Sequence, residues 1–60
     1  MKLRDWLQSN RITYEAFAAK IGADKSQVWR WANDERVPTL PQAAEIRAAT
    51  DGAVTLEDWV

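Results

Sequence analysis

A chain of sixty residues without a single cysteine or histidine has few ways to hold itself together. At this length folding removes only roughly 60% of the unfolded chain's surface from water, so small domains turn to disulfides, metals or a partner subunit. Composition excludes disulfides, thiolate zinc sites and imidazole ligands. What remains is close packing of short helices, a second chain, or both. The same absence weighs against catalysis. The commonest general base and the strongest nucleophile are missing, and Ser9 and Ser26, the only serines, have no base near them in sequence. The carboxylates are spaced as solvating charges on helix faces, and a substrate-sized pocket is hard to build here. No enzyme is expected, and no cofactor or metal.

Helical periodicity and stop signals divide the chain into four short helices, an all-α domain spanning residues 1–60. Leu3, Trp6 and Leu7 recur at helical spacing, and Ser9-Asn10 weakens the pattern, so a first helix covers about residues 2–9. Thr13 is an N-cap for a second helix with Glu15 in its first turn, and Gly22 ends it. Asp24 caps a third, with Gln27 placed to reach back to the cap. The run 33–38 is a loop by composition. Thr39 caps a fourth helix with Pro41 in its first turn, Gln42 completing the box and Asp51-Gly52 closing it. Residues 53–60 admit a short strand over 53–56 or a final helical turn capped by Thr55 and carrying Leu56, Trp59 and Val60. The turn is the favoured reading.

The second and third helices form the most informative unit, Tyr14 to Asn33. Two helices meeting at a large angle need a small residue where their backbones approach, a turn residue tolerant of positive φ, and apolar wedges between them. Ala18, Gly22 and the set Phe17, Ile21, Val28 and Trp31 meet those needs, with Ala23 filling the slot after the glycine. Trp6, Phe17, Val28, Trp31 and Ile46 therefore read as core. Trp29 lies about 100° round the helix from Val28 and is expected to be exposed. Trp59 and Val60 read equally as a lid on the core or as part of a dimer interface.

The spacing Ala18, Gly22, Val28, Trp31, with Ser26-Gln27-Val28-Trp29-Arg30-Trp31 and the following Val37-Pro38, resembles the helix-turn-helix of phage Cro and Xre-like transcriptional regulators. The resemblance extends more weakly through the stretch 44–58. Asn33-Asp34-Glu35 stands where that family often has glycine, with Asn33 able to take the left-handed conformation. Trp29 stands where small or polar residues are usual. The resemblance implies a compact, lambda-repressor-like domain of four to five helices. It implies a cytoplasmic bacterial or phage repressor that binds a palindromic operator in double-stranded DNA as a homodimer.

A major groove admits one helix, whose N-terminal residues reach base edges. Carried onto this chain, the family's reading positions are Lys25, Ser26, Trp29 and Arg30. Arg30 is the better guanine reader because its donors form a fork. Thr13, Tyr14, Gln27 and Arg36 are candidates for phosphate contacts. Outside such a motif Lys25 and Arg30 would read as solvated charges, and Lys20 reads so here. A second reading is a helical protein-interaction module, or an antitoxin-type regulator, anchored by Trp29 and Trp59.

Net charge is −1 and the isoelectric point near 5.2, which by itself argues against nucleic acid. The distribution is uneven: residues 1–36 carry seven basic groups against five acids, and residues 37–60 carry one against four. Docking depends on the field at one face rather than on the total. No apolar run approaches the roughly 20 residues that span a membrane. The polar residues after Lys2 and Arg4 leave no signal-peptide core.

Overall fold

The computed structural model describes residues 1–59. Val60, placed by the sequence on the final turn, lies outside them. Four helices, α1 (Leu3–Ser9), α2 (Tyr14–Ile21), α3 (Lys25–Ala32) and α4 (Leu40–Ala49), are followed by a 3₁₀ turn over Leu56–Trp59. They enclose one core, with no strand among the described residues, and the molecule measures 23 × 20 × 19 Å. Leu3, Leu7, Phe17, Val28, Ile46 and Val54 are its largest fully buried side chains. Trp31 is buried as expected, and Trp6 is half-buried with its ring edge-on to Phe17, centroids 5.9 Å apart.

The N-terminal signals act as the sequence indicates. Thr13 Oγ1 accepts from Ala16 N at 3.1 Å, and Gln27 Oε1 accepts from Asp24 N at 3.2 Å. Thr39 and Gln42 exchange both bonds of a capping box, at 2.9 and 3.4 Å. Lys2 stands outside α1 as its extended flanking residue, so that helix begins one position later than its periodicity indicates.

The C-termini share one device that the sequence only half reveals. Each helix closes with an N–H reaching back five residues: Ile12 to Leu7, Ala23 to Ala18, Glu35 to Arg30 and Gly52 to Arg47, at 2.8–3.0 Å. This closure needs a left-handed residue just before it. Gly22 supplies it at φ 72°, but Arg11 (54°), Asp34 (59°) and Asp51 (53°) supply it at the other three ends. The left-handed residue after α3 is thus Asp34 and not Asn33, whose φ is −102°. Asn33 serves differently, its Nδ2 donating to Trp29 O at 2.8 Å. Asn10 does the same to Trp6 O, and the Thr50 hydroxyl to Ile46 O. Thr50 is buried and also accepts from Val54 N at 3.1 Å, stitching the end of α4 to the tail.

The tail forms the turn rather than the strand, but its capping group is not Thr55. The Asp58 carboxylate accepts from Thr55 N at 2.8 Å, while the Thr55 hydroxyl donates to the same oxygen at 3.4 Å. A carboxylate satisfies the Thr55 N–H more strongly than a hydroxyl, which then becomes the donor. Asp58 also receives the Met1 ammonium at 2.9 Å. Of the two readings of Trp59, the structure forms the lid: its Nε1 donates to Trp31 O at 3.1 Å and its ring packs on the core.

The Thr55 N–H, and after it the Met1 ammonium, hold the Asp58 carboxyl below the usual carboxylate range, against a smaller opposing effect of burial. A carboxyl lowered on folding stabilises the fold above its unfolded value of about 4, and that contribution disappears as pH falls through the folded value. Asp58→Ala is expected to cost about 0.5–2 kcal/mol at pH 7, as for other capping side chains. Melting temperature followed from pH 7 to pH 2 should show variant and wild type converging below about pH 4. A gap that stays constant over that range would show that the charge contributes nothing.

Candidate nucleic-acid interface

Burial divides α3 into two sides. Val28, Trp31 and Ala32 are buried, whereas Lys25, Ser26, Trp29 and Arg30 are exposed on the opposite side. At about 100° per residue, positions 25, 26, 29 and 30 share one surface, so the fold brings these four side chains together. Trp29 is 44% exposed at its middle, a large indole turned to solvent. Gly22 positions this surface. Its left-handed turn sends the chain from α2 into α3 within three residues, while Phe17 and Ala18 of α2 and Val28 and Trp31 of α3 join one core.

The four phosphate candidates flank that surface in two groups. Thr13 and Tyr14, at the start of α2, line a shallow hollow with Lys25. Gln27 and Arg36 line a second with Arg30, Thr39 and Gln42. Arg36 is brought there by the α3 closure, because Glu35 N and Arg36 N both bond the Arg30 carbonyl, at 2.8 and 3.3 Å. Lys20, by contrast, turns its ammonium to Ala49 O at 3.5 Å, at the negative end of α4. It belongs to the helix packing and not to this surface.

The hydrogen-bond chemistry of the surface leans toward donors. Thr13 Oγ1 already accepts the Ala16 N–H, which leaves its own proton to give. Gln27 Oε1 already accepts the Asp24 N–H, which leaves its amide donors outward. Lys25, Arg30 and Arg36 can only donate, as can the Trp29 indole. Among the described residues none of those three cations has a carboxylate within 4.0 Å; the two ion pairs found are Met1–Asp58 and Lys2–Asp34. Glu15 in the first hollow, Asp24 at the cap and Glu35 beside Arg36 temper the positive field. The surface offers outward donors, and a partner rich in acceptors would match it.

Comparison with protein-family models, with curated proteins and with solved structures finds no match to this chain.

Arg11, Thr39 and Gln42 also border the two hollows; sequence reasoning assigns Thr39 and Gln42 only a capping role and Arg11 none. The latter two carried a signal, since their capping box places them beside the loop that returns Arg36. Arg11 carried none, because its position follows from a left-handed backbone that arginine does not favour. Trp59 was proposed as a second exposed anchor for a protein partner. With its indole on Trp31 O it is half-buried and less open to a partner than Trp29. No group of His, Cys, Asp or Glu among the described residues is arranged to hold a metal ion. No described helix is long and apolar enough to cross a membrane.

Proposed function

We propose that this chain is a sequence-specific regulator of transcription that lays α3 in the major groove of double-stranded DNA. One observation carries the reading. The exposed side of α3 presents Lys25, Ser26, Trp29 and Arg30 together, backed by a buried side that fixes its direction. Major-groove edges of guanine and thymine are acceptors, and phosphates are acceptors, so a surface of donors suits both. Arg30 reads guanine through its forked donors, and Ser26 adds a short, weakly discriminating contact. Trp29 packs on a thymine methyl or along the sugar-phosphate wall. Thr13, Tyr14, Gln27 and Arg36 hold the backbone on either side. Docking of this kind makes the protein a repressor by occupying its operator.

The reading includes a second copy of the chain on a palindromic operator. Leu40 (71% exposed) and Leu56 (40%) are large apolar side chains left in water. With Ala44 they line one hollow together with Arg47 and Glu57. A patch carrying both signs of charge around apolar residues can match a two-fold copy of itself, Arg47 meeting the other copy's Glu57. Fluorescence anisotropy with duplex DNA fragments, at two salt concentrations, tests the proposal. Tight binding to a subset of fragments, two chains per site, and weakening with salt are expected. Equal binding to every fragment, or none, would refute it. The alternative, a protein-interaction module anchored on an aromatic, now rests on Trp29 alone.

A further inference from the structure

A glycine after an aspartate leaves that aspartate open to attack by its own main chain. The glycine nitrogen can approach the carboxyl carbon because no side chain stands in its way. Of the aspartates here only Asp51 precedes glycine; Asp5 and Asp58 precede tryptophan, Asp24 lysine and Asp34 glutamate. Asp51 and Gly52 are both exposed. Beyond its chain neighbours, no atom lies within 4 Å of the point where a Cβ on Gly52 would stand. Among the described residues no cation lies within 4.0 Å of the Asp51 carboxylate to hold it elsewhere.

The two reacting groups are adjacent, and one hydrogen bond keeps them apart. Gly52 N–H donates to Arg47 O at 2.8 Å in the closure of α4, with Asp51 left-handed at φ 53°. In that closure the nitrogen is committed to the helix end. The tail holds the closure from the other side. Ala53 N donates to Thr50 O at 3.1 Å and Val54 N to the buried Thr50 hydroxyl. Asp58 caps the turn that carries the Trp59 lid. Opening the tail therefore frees the Gly52 nitrogen.

We propose that Asp51–Gly52 is a site of spontaneous covalent modification whose guard is the folded tail. When the tail opens, Gly52 N bonds to the side-chain carboxyl carbon of Asp51. The carboxyl hydroxyl leaves with the amide proton as water, and a five-membered succinimide remains. Water then adds to one ring carbonyl. Addition at the former side-chain carbonyl restores aspartate, whereas addition at the main-chain carbonyl leaves isoaspartate. Nothing is oxidised or reduced, and water is the only other reactant. In isoaspartate the main chain runs through Cβ and is one carbon longer. Gly52 N–H then no longer meets Arg47 O, and the tail cannot close as before. The exit from the native fold is one-way, whatever α3 binds.

The test incubates the full chain at neutral pH and measures isoaspartate by enzymatic methyl transfer, with mass-spectrometric fragmentation to locate it. Folded wild type, wild type unfolded in guanidinium chloride, Asp58→Ala and Asp51→Glu are compared. The unfolded chain is expected to convert fastest and the folded wild type slowest. Asp58→Ala should convert faster than wild type by about 2- to 30-fold, the gain in open population when a capping side chain is lost. Asp51→Glu should convert far more slowly, because its longer side chain must close a six-membered ring. The isolated isoaspartyl product should melt lower than wild type. Folded wild type that converts as fast as the unfolded chain overturns the guard, as does Asp58→Ala converting no faster than wild type. An unfolded chain that gains no isoaspartate at residue 51 overturns the site itself, and a product that melts like wild type overturns the one-way exit.

Discussion

Phe17→Ala is expected to remove most of the protein's stability. Phe17 is fully buried, packs edge-on with Trp6, and lies in the same buried cluster as Leu3, Leu7, Val28, Ile46 and Val54. Removing a buried phenyl ring costs about 3–5 kcal/mol, the lost transfer energy plus the cavity left behind. A chain of this size has roughly 3–9 kcal/mol in total, at about 0.05–0.15 kcal/mol per residue. The two quantities are comparable, so the variant has little margin. Far-ultraviolet circular dichroism during heating should show a midpoint lower by about 12–40 °C, given about 4–8 °C per kcal/mol in a domain this small. A shift under about 5 °C would mean that the core does not close around Phe17. Because α2 and α3 meet across this cluster, the same variant should lose any DNA binding with its fold.

Arg30→Ala should spare the fold and damage recognition. The side chain is exposed, and it is the Arg30 carbonyl, untouched by the change, that holds Glu35 and Arg36 at the end of α3. If Arg30 forks onto a guanine, its loss costs about 1–3 kcal/mol on the preferred sequence and removes preference at one base pair. Titrations against duplexes altered one position at a time measure both quantities. Equal weakening on every duplex would reassign Arg30 to the backbone. In that case Lys25, Ser26 and Trp29 would be left to read the sequence. Circular dichroism of the variant should match the wild type, which separates this result from loss of structure.

What was legible in the sequence follows the chemistry of individual residues. Thr13, Gly22, Thr39 and Gln42 declare their places because cap and turn geometries accept few side chains, and each acts where expected. The buried and exposed sides of α3 are legible for a similar reason: Val28 and Trp31 recur at helical spacing while charged and polar residues fill the rest. The left-handed positions are only partly legible. Asn33 has the better intrinsic preference, yet the hydrogen-bond geometry of the closing turn assigns the conformation to Asp34 and gives Asn33 a side-chain bond to Trp29 O. The same geometry puts Arg11 at the rim of a hollow that no propensity scale would indicate. Trp59 illustrates tertiary choice. A terminal indole fits a lid or an interface equally well by pattern, and within the chain the Trp31 carbonyl draws it onto the core.

The four indoles are unequally placed. Trp31 is buried, Trp6 and Trp59 are half-buried against the core, and Trp29 is exposed on the outward side of α3. The molecule therefore carries two optical populations. A collisional quencher such as iodide reaches Trp29 most readily, so a change in quenchable emission reports on the exposed side of α3. The shielded emission, blue-shifted by its apolar surroundings, reports on whether the helices remain packed. Occupancy and integrity are thus separable in one unlabelled sample, by which fraction of the light responds.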